Sequence, residues 1–257
     1  GDDQAAIEVG VNQFITELEE LQNVQVGTLT FGDNDVNNLN TLDDPANVSV
    51  SLEPGDFDGN TPLPAAIDIA DQVVRDSGSG ARAGAQKTVV VFTDGGPNYE
   101  NENYSVGGFE APRGADDPGF SDDDATDSHD SGTADGDVDV DEMGETALVA
   151  ETVRDGTTQI ATIFIGADDE TGAMTEGAEG EYGDLPSYLA DEIASPASSF
   201  TVDFGDLADL AAQLEDAITV GEEVFFLGTL AEAMGSLESG SGIPLDGDLS
   251  TAFNELE

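Results

Sequence analysis

The sequence contains no cysteine, no tryptophan, one histidine and only five lysines and arginines among its 257 residues. Without cysteine, disulfides cannot stabilise the fold, and thiolate-bound zinc and iron–sulfur sites are excluded. The single histidine, His129, excludes a metal site built from several imidazoles. No stretch of the sequence is apolar for long enough to predict a membrane-spanning helix.

Acidic residues dominate the charge: 57 Asp and Glu face 5 Lys and Arg, for a formal net charge of −52. A nucleic-acid partner requires a positive protein surface, and an anionic membrane repels a negative one. We therefore predict that the protein neither binds nucleic acid nor inserts into membranes. Because 38% of the residues are hydrophobic and many recur periodically, we expect a folded chain with an acidic surface rather than disorder.

Such a surface is typical of a protein that works in molar salt, where the Debye length is about 3 Å. Self-repulsion between carboxylates is then screened. The composition therefore predicts a protein of a haloarchaeon or a similarly extreme halophile, the alternatives being an acidic, linker-rich surface protein or a calcium-loaded one.

Hydrophobic periodicity predicts strands that alternate with helices along most of the chain. We expect helices at 4–21, 61–74, about 142–154, 185–193 and 206–220, and strands at 24–31, 47–52, 87–92, 159–165 and 199–203. Alternation of this kind predicts an α/β fold with a doubly wound, mostly parallel sheet flanked by helices. Residues 1–220 would form this domain, with a long acidic insertion at about 99–141 and an acidic loop at 167–183.

Two junctions carry polar residues to the edge of the predicted sheet where ligands bind in such folds. The strand at 87–92 ends in Thr93-Asp94-Gly95, and Gly59-Asn60-Thr61-Pro62-Leu63 leads into the second helix. Taken alone, Thr61 would be a helix N-cap and Asp94 a turn residue.

These two junctions resemble those of a von Willebrand factor A (vWA) domain, and they are followed in the family's order by strand 160–166 and by Leu189–Ser195. Members of this family are binding modules. They hold a divalent cation, usually Mg²⁺, at the carboxyl edge of the sheet, in a metal ion-dependent adhesion site. The resemblance implies that Thr61 and Asp94 are ligands of Mg²⁺, or of Mn²⁺ or Ca²⁺, and that an acidic side chain of a protein partner completes the coordination.

The sequence departs from the family pattern at the third ligand loop. That loop carries Asp-x-Ser-x-Ser after the first strand, upstream of the first helix, and no such motif occurs here. The first strand is apparently missing from residues 1–257, so that the metal site is incomplete. Either the strand and its motif lie upstream of Gly1, or another segment of the chain replaces the strand.

A second resemblance concerns residues 221–257, which we expect to be a separate, partial C-terminal segment. Val224–Leu230 and Gly242–Gly247 resemble part of the TasA/camelysin-type fibre proteins, which are secreted β-sandwich proteins of haloarchaeal surfaces. The resemblance implies an extracellular filament. The alternative is a C-terminal helix pair with Leu230, Met234 and Leu237 on one face, and both interpretations predict that 224–238 is partly helical.

Other acidic and polar patterns suggest further sites. Asp135, Asp137, Asp139 and Asp141 alternate along a glycine-containing stretch, which is either a Ca²⁺-binding loop or a solvated acidic loop. Asn47-Val48-Ser49 and Asn103-Tyr104-Ser105 are possible N-glycosylation sequons.

The sequence contains no nucleophile elbow, P-loop or dinucleotide fingerprint, so we predict that the protein is not an enzyme. We predict an extracellular vWA-type module for cation-dependent adhesion or protein–protein contact. The alternative is a structural subunit or decoration of a filament or surface lattice, without a working metal site. The partner would be another protein or identical subunits.

Overall fold

The computed structural model describes residues 2–19, 23–32, 35–52, 61–93, 95–97, 104–111, 138, 140–165, 174, 176–202 and 222–228. The helices are α1 (Asp2–Leu18), α2 (Leu63–Arg75), α3 (Val140–Asp155), α4 (Glu176–Tyr182) and α5 (Leu185–Tyr188), the last continuing into a π-helical turn at Leu189–Ile193. The strands are β1 (Gln25–Gly32), β2 (Asp35–Asp43), β3 (Gln86–Thr93), β4 (Tyr104–Val106), β5 (Phe109–Ala111), β6 (Thr158–Ile165), β7 (Ser199–Val202) and β8 (Glu222–Gly228).

Six of these strands form one sheet in the order β2-β1-β8-β3-β6-β7. All neighbours are parallel except β2, which pairs with β1 as an antiparallel edge strand. The predicted α/β class, a mostly parallel sheet flanked by helices, is therefore confirmed. A separate two-stranded hairpin, β4–β5, lies inside the predicted insertion at 99–141.

Each face of the sheet has its own apolar core. Val89 and Val91 of β3 belong to the core that contains α2 and α3, whereas Val90 and Phe92 belong to the core that contains α1. Parallel strands that are covered on both faces lose the alternation of polar and apolar residues. This is why the uninterrupted apolar run of β3 was predictable as a central strand.

Strand β8 lies in the middle of the sheet, between β1 and β3. Its register runs from Gln86↔Glu222 to Phe92↔Gly228 on one side, and ends at Thr30↔Gly228 on the other. A strand that preceded α1 would take this same position, because right-handed crossovers join parallel neighbours and β2 occupies the other side of β1. In the described structure, residues 222–228 occupy this central position.

Residues 224–228 are extended, and the rest of the segment 224–238, which we expect to be partly helical, lies outside the described residues, so that expectation remains a prediction. The division of the chain at residue 220 remains a prediction, although 222–228 shares the sheet of the first proposed domain.

The predicted strand at 47–52 is also wrong. Residues 45–47 form a 3₁₀ turn, and the extended segment that follows pairs with side chains of α1 instead of a strand. The antiparallel partner of β1 is instead β2, whose sequence Asp-Val-Asn-Asn-Leu-Asn-Thr-Leu-Asp was not predicted as a strand. Of its residues only Val36 and Leu42 are buried hydrophobics, so that it carries a weak apolar signal.

The acidic stretch at 167–183 is not a loop throughout, since 176–182 forms α4. Ala178 of this helix is fully buried, and this contact with the core stabilises a short helix in a polar sequence. The predicted helix at 206–220 lies outside the described residues. Among the helices that the structure describes, none is long and apolar enough to cross a lipid bilayer.

Candidate functional site at the carboxyl edge of the sheet

Thr61 lies at the carboxyl edge because of the direction of α2. Arg75, at the end of α2, donates through Nη2 to the Gly156 carbonyl and to Thr158 Oγ1, at the start of β6. The C-terminus of α2 therefore lies at the amino edge of the sheet, and its N-terminus at the opposite edge. Thr61 is 1% exposed, and its carbonyl accepts from the Leu63 amide at 2.7 Å.

The alternative interpretation of Thr61 as the N-cap of α2 is wrong, because Pro62 occupies the N-cap position and α2 begins at Leu63. Pro62 has no side-chain hydrogen-bond donor or acceptor with which to cap the helix, and none is formed. Thr61 is thus a buried hydroxyl residue that is not explained by helix capping.

The turn after β3 is closed by its own threonine. The buried Thr93 hydroxyl donates to the Gly95 carbonyl at 2.7 Å and accepts from the Gly95 amide at 3.2 Å. Asp94 lies between these two residues in sequence but outside the described residues. Because both neighbours of position 94 are fixed, the main chain enters and leaves that position at a defined place on the edge.

The acidic stretches on either side of α3 are anchored beside this turn. A Cβ atom added to Gly96 would lie 2.7 Å from Leu185 Cδ2 and 3.1 Å from both Cγ atoms of Val138. Val138, which is 2% exposed, pairs with Met174 in an isolated parallel bridge. The stretches at 99–141 and 167–183 are therefore joined beside this turn through Val138 and Met174. Sequence reasoning missed this, although a valine within an aspartate run was a signal for a buried anchor.

The other predicted site residues are only partly covered by the description. Asp135, Asp137, Asp139, His129 and Asn103 lie outside it, and Asp141 is described only as backbone in the first turn of α3. Asn47 lies exposed in the 3₁₀ turn, where its Nδ2 donates to Asp43 Oδ1 at 3.2 Å. Within the described ranges, no three Asp, Glu or His side chains are grouped so that they could hold a metal ion.

Of the two predicted ligands of a divalent cation, the described residues include Thr61 but not Asp94. Hydroxyl and carboxylate oxygens are the ligands that Mg²⁺ accepts, and Thr61 offers a buried hydroxyl at this edge. The hydroxyl of Thr93 is engaged by Gly95. After β8, the sequence continues Thr229-Leu230-Ala231-Glu232, which does not match Asp-x-Ser-x-Ser.

The cationic side chains within the described part of the chain form hydrogen bonds inside the fold. The cationic residues there all donate to main-chain carbonyl groups, and they are Arg75, Arg82, Lys87 and Arg154. Arg75 is also paired with the buried Asp71. The carboxyl edge therefore has no described cation with which to attract an acidic partner directly.

Comparison with known proteins agrees with this fold. Residues 6–107, less than half of the chain, match the family model of the von Willebrand factor type A domain. The structure is similar to the crystal structure of the pilus adhesin SpaC from Lactobacillus rhamnosus GG in its open conformation, with a TM-score of 0.50 and 14% sequence identity. The match covers 82% of this chain and 28% of the adhesin, so the chain spans less than a third of that protein. No curated protein matches the sequence.

These findings define an α/β fold of the vWA type, and residues 6–107 are similar to the vWA family model. The identity with the adhesin is too low to carry more than the fold.

Proposed function

We propose that this chain is an extracellular vWA-type binding module of a halophilic archaeal cell-surface or filament protein, and that it binds a protein partner rather than catalysing a reaction. The observation that supports this most directly is the carboxyl edge, where Thr61 and the closed Thr93–Gly95 turn both lie. The neighbouring structure is described in its title as a pilus adhesin, which is consistent with an adhesive role.

We further propose that contact with the partner depends on a divalent cation, Mg²⁺ or else Mn²⁺ or Ca²⁺, held by Thr61 and Asp94. An acidic side chain of the partner would complete the coordination shell. With a net charge of −52, the chain repels an acidic partner unless a cation lies between the two carboxylates. The cation would thus join two surfaces of the same sign.

Calorimetric titration with Mg²⁺ in molar NaCl tests the metal site. We expect that Asp94→Ala and Thr61→Val each weaken binding at least about tenfold, which corresponds to about 1.4 kcal/mol. Glu151→Ala is the matched control, because it removes a carboxylate from an exposed position of α3, and it should leave the affinity unchanged. Equal affinities for the wild-type chain and Asp94→Ala would refute the assignment.

A second candidate function is a structural subunit or decoration of an extracellular filament or surface lattice, with no working metal site. The observation in its favour is β8, a strand from a distant segment that completes the centre of the sheet. Sedimentation in molar KCl or NaCl distinguishes this function, since a subunit should assemble with identical copies. A chain that stays monomeric at high concentration would count against it.

Two smaller proposals concern the surface. Asp135, Asp137, Asp139 and Asp141 would bind Ca²⁺, and a ⁴⁵Ca²⁺ overlay of the quadruple Asn variant should then show reduced binding. Asn47 and Asn103 would carry N-glycans in the native host, and the exposed 3₁₀ turn around Asn47 leaves room for one. Intact-mass measurement of the protein from its host would detect glycans at these positions or refute the proposal.

A further inference from the structure

We propose that the position between β1 and β3 is a strand-acceptor site, and that residues 222–228 of a second copy of this chain can fill it in place of the chain's own β8. The proposal starts from the pairing of β8, which has a strand on each side over most of its length. It does not depend on metal binding at the carboxyl edge.

Removal of β8 would divide the sheet into two parts. The described strands that remain would be β2–β1 on one side and β3–β6–β7 on the other, each with an unpaired edge facing the same position. Unpaired strand edges bind extended segments through main-chain hydrogen bonds, which makes them sites of strand exchange and aggregation. The two open edges would therefore bind a strand whose main-chain donors and acceptors match both of them.

The strand from a second copy is chemically identical to β8, so it can restore every main-chain hydrogen bond that β8 makes. Exchange of identical elements is a low-cost route to oligomers for this reason. The connection at 203–221 could span up to about 60 Å if it were extended, which is enough to reach a neighbouring copy.

Charge at the amino edge helps to set the register of the occupant. Lys87, the only lysine of the chain, is the in-register neighbour of Glu223, and Glu222 is the neighbour of Gln86. A strand that begins with two glutamates is therefore placed with its acidic end beside the one cation of β3. A shift of one residue would also exchange the faces to which its side chains point.

Cysteine cross-linking tests the proposal, because the natural chain has no cysteine to interfere. Gln86 is exposed at the amino edge, and its register neighbour is Glu222, so Gln86→Cys and Glu222→Cys should not disturb the core. Neighbouring strands lie about 4.8 Å apart, which suits a disulfide. Two chains that carry one substitution each would be unfolded together, refolded in molar NaCl at high concentration and oxidised with glutathione disulfide.

We expect a mixed dimer whose cross-linked peptide joins residues 86 and 222, at least about tenfold more abundant than with the control. The control pairs Gln86→Cys with Gly228→Cys, six residues away along the strand and hence about 20 Å from register. A chain that carries both Gln86→Cys and Glu222→Cys, oxidised at low concentration, should form the bond within itself. Circular dichroism of each variant shows whether it has folded.

Two results would overturn the proposal. If the double variant forms its internal disulfide and the mixture forms no 86–222 dimer above the control, β8 is fixed within its own chain. If neither disulfide forms in folded protein, residues 222–228 do not occupy the position between β1 and β3.

Discussion

At the residue scale, the few cations of this chain stabilise the ends of secondary-structure elements. Arg154 Nη1 donates to the carbonyl groups of Glu192, Ile193 and Ala194, at the end of the π-helical turn. The last carbonyl groups of a helix have no donor within the helix itself. Arg82 donates to the carbonyl of Asn23. These roles could not be read from the sequence, because each joins residues far apart in the chain.

The first prediction concerns Arg154. Arg154→Met should lower the free energy of unfolding by about 2–3 kcal/mol, because a charge-assisted donor to three carbonyls is lost. Arg82→Met is the matched control, with one described hydrogen bond to a carbonyl and an expected loss of about 1 kcal/mol. Urea unfolding in molar NaCl measures both, and equal losses would contradict the account.

The buried side chain of Tyr188 makes the stability of the fold depend on pH in the alkaline range. Its hydroxyl donates to the Met143 carbonyl at 2.8 Å, and its ring meets that of Tyr182 edge to face at a centroid distance of 5.4 Å. Burial raises the pKa of Tyr188 well above its ordinary value. The neutral form is therefore the one that the fold stabilises.

The second prediction follows from the sign of that shift. The contribution of Tyr188 is fully present below pH about 10, and it is lost as the pH rises further, because the unfolded chain ionises first. Tyr188→Phe should cost about 1 kcal/mol at pH 8 through the lost hydrogen bond. It should also reduce the decline of the unfolding free energy between pH 9 and 11, and an unchanged decline would contradict this reasoning.

At the scale of elements, the sequence predicted helices and buried strands well, but not the partners of polar or isolated segments. Val48, Val50 and Leu52 alternate as in a strand and do pack on the core beside α1. Their main chain, however, forms hydrogen bonds with side chains. Asn12 Nδ2 donates to the Val50 carbonyl, and Asn12 Oδ1 accepts from the Val50 amide, at 2.8 Å each. Periodicity shows which side chains are buried, but it does not show what satisfies the main chain.

The third prediction concerns this contact between helix and segment. Asn12→Ala should cost about 1–3 kcal/mol, because it leaves the amide and carbonyl of Val50 without these partners. The amide hydrogen of Val50 should exchange at least about tenfold faster, whereas that of Val90 in β3 should change only by the global loss of stability. Uniform acceleration at both positions would show that Asn12 has no local role.

At the scale of the whole molecule, the candidate site was predictable only in outline. Thr61 and Asp94 were found from the order of motifs, and the structure places Thr61 and the residues on either side of Asp94 at one edge. Neither the anchoring of the acidic stretches at Val138 nor the central position of β8 could be predicted. Both depend on contacts between segments that no local pattern connects.

The fourth prediction concerns the charge of −52. Lowering NaCl from about 1 M to about 10 mM lengthens the Debye length from about 3 Å to about 30 Å, so that the acidic surface repels itself. We expect the chain to expand or unfold, with loss of helical circular dichroism that returns when salt is restored. Full native ellipticity without salt would contradict the proposal of a halophilic protein.

The central claim is that residues 222–228 complete one sheet of the vWA type as its central strand. Hydrogen–deuterium exchange in molar NaCl tests this most directly, because the amides of a central strand bond to strands on both sides. We predict that the amides of Val224–Leu227 exchange as slowly as those of Val89–Val91, within about tenfold. Exchange of 224–227 at the rate of an unstructured peptide, while 89–91 stay protected, would contradict the account.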